Sequence, residues 1–315
     1  MRQEVTVWAP ATVANLNVGF DALGCALAAP GERVVVRRTD QRGEVRVRAV
    51  HGPDGQSLGL PLEPERNVAA VAAGSLLRAL GSPCGLELEL FKEVAPGSGL
   101  GSSAASAAGA VVAVDALLDG GLRPDELLPF ALDGEVLASG ARNADNVAPA
   151  LMGGLVLCPP AGAPIALPVP EGLHWTVFHP QVEVRTADAR RVLPASVPLG
   201  TAVDQARWLA TFVAACFRGD TVGALYSLED LVVGPARQGL IPCYAGLRQA
   251  AFAHGARAGG ISGSGPSTFW LALDDASADA IATAGTRLYA QAGIPVAVHR
   301  TLLSPRGAHV IATLP

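Results

Sequence analysis

The run APGSGLGSSAAS, Ala95 to Ser106, constrains this chain more than any other stretch. Before it, GLELELF (Gly85 to Phe91) has the period-two alternation of a half-buried strand. After it, alanines dominate a segment that reads as a helix from about Ser102 to Leu118. A glycine-rich turn between strand and helix lets backbone N–H groups converge on an anion at the positive end of the helix dipole. It suits a close-packed turn without a ligand about as well. Neither common phosphate fingerprint is met: Ser102 stands where a Walker A loop needs lysine, and Gly101 comes too early for G-x-G-x-x-G.

At 315 residues the chain can hold two domains of ordinary size, although one large α/β domain also fits. The best boundary is PPAGAPIALPVPEG (Pro159 to Gly172), whose prolines continue neither a helix nor an inner strand. This gives an expected N-terminal domain over 1–160 and a C-terminal domain over 161–315. A formal charge of −5 gives no global attraction to nucleic acid or an anionic membrane. Two uncharged runs, 94–114 and 146–170, are interrupted by glycines and by prolines, so neither reads as a membrane span. The start MRQEVTVWAP lacks the apolar core of a signal peptide, and a soluble cytoplasmic protein is expected. The cysteines, at 25, 84, 158, 216 and 243, are odd in number and scattered, which suits small core residues better than a metal site.

Alternation predicts strands at Glu4 to Ala9, Glu32 to Arg38 and Glu44 to Val50, the last two forming a hairpin about TDQRG. A helix is expected from Asn67 to Leu80, ended by Gly81, and another beyond Pro124 through Glu135. GARNADNVAPALMGG reads as a loop before a strand at Gly154 to Pro159. Further strands are expected at HWTVFHP, STFWLAL, 296–300 and 308–313, and helices near 204–218, 244–258 and 276–292. GGISGSGPS reads as a turn closing a strand–helix junction.

Three segments occur in order: PATVANLNVGFDALG (Pro10 to Gly24), APGSGLGSSAAS, and GGISGSGPSTF (Gly259 to Phe269). Together they resemble the three motifs of the GHMP kinases. Within that superfamily, ANLNVGFDALG, ADNVAPALMGG, TADARRVLP and PARQGLIPCY resemble the homoserine kinase family. The chain departs from the family in two ways: its proline lies one position closer to the G-L-G, and Asn143 stands where histidine is usual. The resemblance implies an α+β, two-domain GHMP kinase fold, with an N-terminal domain like ribosomal protein S5 domain 2 and a ferredoxin-like C-terminal domain. It also implies ATP and Mg²⁺, phosphorylation of the L-homoserine hydroxyl on the route to threonine, and a possible homodimer.

Several residues have a bland reading beside the one the resemblance implies. Ser103 alone reads as a helix N-terminal hydroxyl and Glu135 as a solvated helix face; the family uses both positions for Mg²⁺. Asn67 reads as an N-cap and in the family also meets adenine. Lys92, the only lysine, either lines the nucleotide pocket or ends a strand in solvent. Gly97, Ser98, Gly99, Leu100, Gly101 and Ser102 would form the phosphate cradle through backbone N–H groups. For the amino-acid substrate, Arg190 and Arg237 are candidates for the carboxylate, guanidinium being a planar bidentate fork. Asp21 suits the ammonium, while Asn15, Asp145 and Asn146 suit orientation of the amino acid and its hydroxyl. Thr186 and Asn143 are expected at the rim, with Gly263 of the third motif nearby. Singly, Arg237 would be an ordinary surface arginine, and no catalytic base stands out.

Overall fold

The computed structural model describes residues 2–315. In chain order the elements are β1 (Glu4–Ala14), β2 (Leu23–Thr39), β3 (Val45–His51), α1 (Val68–Ala79), β4 (Gly85–Lys92), α2 (Ser102–Leu117), α3 (Pro124–Ser139) and α4 (Ala144–Met152). Then follow β5 (Leu155–Leu157), β6 (Ile165–Leu167), β7 (His174–Pro180), α5 (Thr186–Arg191), α6 (Leu199–Arg218), α7 (Thr221–Tyr226), α8 (Val233–Arg237) and α9 (Tyr244–Ala253). The chain ends with β8 (Ala258–Ile261), β9 (Thr268–Ala272), α10 (Asp275–Gln291), β10 (Val296–Thr301) and β11 (His309–Leu314).

A larger sheet runs β11-β1-β2-β4-β3, with β5 and β6 branching from β2. A smaller one runs β10-β7-β9-β8, so β7, β8, β9 and β10 with their intervening helices make the ferredoxin-like arrangement. The expected hairpin about TDQRG does not form: β4 inserts between β2 and β3, pairing antiparallel with the first and parallel with the second. Helix α1 is the crossover joining the parallel pair, which a two-strand reading of local alternation cannot see. Two segments beyond residue 160 return to the larger sheet, β6 beside β5 and β11 beside β1. GGISGSGPS is also not a strand–helix junction; it turns β8 back onto β9 as an antiparallel pair.

Helix α2 is apolar or small on nearly every side, and Ala104, Ala107, Ala108, Ala110, Val111, Ala113 and Val114 are wholly buried. Such a helix belongs at the centre of a core rather than on its surface. It lies between the larger sheet and helices α1, α3 and α4. The turn that precedes α2 is therefore anchored to a helix buried on nearly every side. No helix among the described residues is long and apolar enough to cross a membrane.

Candidate active site

The turn from β4 into α2 is held open by left-handed backbone at Gly97, Gly99 and Gly101, with φ of +72°, +78° and +64°. At Gly99 the reason is spatial as well, because a Cβ would lie 2.6 Å from the Gly265 carbonyl oxygen and 2.7 Å from that of Ser262. Ser262 Oγ donates to the Gly99 carbonyl at 2.6 Å, and the Ser267 N–H to the Ser98 carbonyl at 3.1 Å. The second and third glycine-rich motifs thus touch through their backbones.

Lys92 is not in solvent. Its ammonium lies 2.6 Å from Glu32 Oε1, 2.8 Å from Ser102 Oγ and 2.7 Å from Ser106 Oγ, and Glu32 is wholly buried. Three donors meeting three acceptors leave the ammonium nothing to offer a ligand, so Lys92 lines the cleft while holding the start of α2. Ser102 Oγ is spent in the same cluster, donating to Glu32, which leaves its backbone N–H for the cleft. Leu100 departs from its expected role, since its side chain is buried in the core and its N–H is directed to Ser98 Oγ at 3.3 Å. Glu32 and Ser106 had gone unnoticed. The place of Glu32 follows from the register Glu32↔Lys92, which exists only because β2 pairs with β4, and local alternation carries no signal of that pairing.

Asn67 caps α1, its Oδ1 accepting from the N–H groups of Ala69 and Ala70 while Nδ2 donates to the Pro61 carbonyl. One amide hydrogen remains for the cleft. From α3, Glu135 comes in at 7 % exposure, and its Oε2 has no hydrogen-bond partner. Burial pushes its carboxyl up to about 7, opposed by the nearby Ser103 and Ser139 hydroxyls. The segment expected as a loop is helix α4, with Asn143 as its N-cap and Pro149 inside it. Asp145 in its first turn is also pushed up to about 7, by burial and then by the charges of Asp21 and Glu135, with Arg190 opposing. Asn146 follows; its Oδ1 accepts from Thr12 Oγ1 at 2.7 Å.

The first motif, which also lines the cleft, makes a left-handed turn, with positive φ at Asn15, Leu16, Asn17 and Asp21. Asn15 secures it, donating from Nδ2 to the Gly263 carbonyl at 3.0 Å and accepting from the Asp21 N–H at 3.0 Å. Asp21 is paired with Arg190 at 3.2 Å and accepts from Asn143 Nδ2 at 3.3 Å. Arg237 is no surface arginine. It is 3 % exposed and donates to the carbonyls of Ala189 (3.0 Å) and Gly263 (2.8 Å). Burial and the charge of Arg190 lower its pKa. Both guanidinium groups lie over the ring of Phe20, at 5.8 Å for Arg190 and 5.1 Å for Arg237. Phe20 was missed although it adjoins Asp21 in the first motif. Thr186 stands exposed at the rim, where α5 begins.

Every predicted site residue except Leu100 lines one cleft of about 720 Å³. Among the described residues no group of three or more His, Cys, Asp or Glu is arranged to hold a metal.

The GHMP kinases N terminal domain model matches residues 67–154 and the GHMP kinases C terminal model residues 236–291. A homoserine kinase of Xanthomonas campestris pv. campestris (strain B100) is 42 % identical over 311 residues, covering 98 % of this chain and 95 % of that protein. The crystal structure of homoserine kinase from Cytophaga hutchinsonii ATCC 33406 superposes with a TM-score of 0.93 at 41 % identity, covering 99 % of this chain and 98 % of that one. The crystal structure of L. major mevalonate kinase in complex with R-mevalonate shares the fold alone, with a TM-score of 0.71 at 16 % identity over 95 % of this chain and 96 % of that one. With 42 % and 41 % identity to those two homoserine kinases over nearly the whole chain, and both GHMP domain models matched, the chain belongs to the homoserine kinase family of the GHMP kinases.

Proposed function

We propose that this cleft transfers the γ-phosphoryl group of ATP to the side-chain hydroxyl of L-homoserine. The hydroxyl oxygen attacks phosphorus, the bond from phosphorus to the β–γ bridging oxygen breaks, and the products are ADP, O-phospho-L-homoserine and a proton. The observation that carries the reading is the charge layout where Asp21, Arg190 and Arg237 gather around Phe20 in the cleft. Two guanidinium groups and a carboxylate, Arg190, Arg237 and Asp21, answer the carboxylate and ammonium of an amino acid. Family membership supports the same substrate.

In this reading the Gly97–Ser102 turn receives the phosphates through N–H groups at the positive end of α2. Asp145 and Asn146 orient the acceptor alcohol. Phosphoryl transfer depends on alignment and charge neutralisation more than on covalent help, so these fixed donors can carry much of the catalysis. The residues present also suit Mg²⁺: Glu135 Oε2 is a hard oxygen, buried and without a partner, and Ser103 lines the same wall of the cleft. When bound, Mg²⁺ would neutralise charge on the phosphate oxygens.

The test is ADP release, coupled to a spectrophotometric signal, with homoserine and a panel of other alcohols. Homoserine should be the preferred acceptor, and Glu135→Gln should lower its turnover by about two orders of magnitude with the fold intact. Equal rates across the panel would reject the substrate, and full activity of the variant at saturating Mg²⁺ would reject the role of Glu135.

A further inference from the structure

The Thr12–Asn146 hydrogen bond joins parts of the cleft that have different tasks. Thr12 is wholly buried in β1, and its N–H donates to the carbonyl of Leu100 at 3.0 Å, inside the glycine turn. Its hydroxyl donates to Asn146 Oδ1 on α4. A Cβ at Gly101 would stand 1.9 Å from Thr12 Oγ1 and 3.0 Å from Asn146 Oδ1, so the missing side chain leaves the space in which this bond forms.

An amide whose oxygen is turned toward a hydroxyl donor presents its NH₂ on the other side. Asn146 lines the cleft, and among the described residues no protein acceptor takes its Nδ2 hydrogens. The direction matters because the groups expected there, an alcohol oxygen and phosphoryl oxygens, are acceptors that gain negative charge during transfer. Donors aimed at that charge stabilise it, whereas a carbonyl oxygen in their place would repel it.

We propose that Thr12 is a positioning residue for phosphoryl transfer: its hydroxyl fixes the orientation of the Asn146 amide so that Nδ2 faces the reacting oxygens. The inference rests on the proposed function for the role of Asn146. Because Thr12 also holds the carbonyl of Leu100, it keeps the acceptor side in register with the glycine turn.

The experiment compares kcat and KM for homoserine and ATP in the wild type, Thr12→Val, Thr12→Ser, Asn146→Ala and the double variant T12V/N146A. Thr12→Val keeps the shape and removes the donor. It should lower kcat about tenfold, the scale of one oriented hydrogen bond, with both KM values little changed. Thr12→Ser should restore kcat, and Thr12→Val should add nothing in the Asn146→Ala background. Full kcat in Thr12→Val, or the same fractional loss with and without Asn146, overturns the proposal. Atomic-resolution structures of Thr12→Val and Thr12→Ala read the amide without any substrate, and an unchanged single orientation overturns it too. Absence of homoserine turnover in the wild type would instead reject the proposed function and leave that structural readout to decide the role of Thr12.

Discussion

Removing the Lys92 ammonium should cost more stability than any surface substitution, because it strands a charge. Its side chain is 6 % exposed and that of Glu32 is 0 % exposed, with the pair at 2.6 Å. In Lys92→Met the carboxylate keeps the hydroxyls of Ser102 and Ser106 but loses its only cationic partner among the described residues. Breaking a buried pair from one side typically costs about 3–5 kcal/mol. Two hydroxyl donors remain, so the lower half of that range is expected. The double variant E32Q/K92M removes the stranded charge and should recover about half of the loss. Urea unfolding followed by circular dichroism at pH 7 measures both, and nucleotide titration reports on the turn that Ser102 begins. A single variant less than about 1 kcal/mol below wild type, or a double variant no more stable than the single, would refute the reasoning.

Three further outcomes follow from the same geometry. The carboxyls of Glu135 and Asp145 rise from 4.5 and 3.8 to about 7 on folding, so the folded state retains protons that the unfolded chain has released. Their contribution to stability therefore falls as the pH rises from about 4 to about 7, and Glu135→Gln should gain on the wild type across that window in nucleotide-free urea titrations; a constant gap would count against it. Arg237→Leu should lower kcat/KM for homoserine far more than for 3-aminopropan-1-ol, which wild type should disfavour by a factor on the order of 10⁴. Equal losses for both alcohols would remove Arg237 from the carboxylate. Gly99→Ala forces a Cβ against two carbonyl oxygens at a φ of +78°, and should abolish nucleotide binding in calorimetric titration; retained affinity would mean that the turn is not the phosphate cradle.

Local pattern alone made much of this protein legible. Period-two alternation marked β4, alanine content marked α2, and Asn67 marked the start of α1, because each signal arises from neighbours within one element. The three glycine-rich motifs pointed to one site for a similar reason: a backbone that must bend sharply or admit another chain closely leaves a trace in composition. Pairing between distant strands leaves no such trace. The assignment of β2 to β3 failed because β4 returns between them after a helical crossover, and the partnership of Lys92 with Glu32 was lost with it. Pro149 and the two glycines after Met152 read as loop, yet α4 forms because its apolar side is buried against α2 and α3, with no side-chain cap from Asn143. Burial was the other quantity decided only in three dimensions. Arg237 and Glu135 have unremarkable sequence surroundings, but each is enclosed by elements far away in the chain, and that enclosure shifts their pKa values and directs them into the cleft.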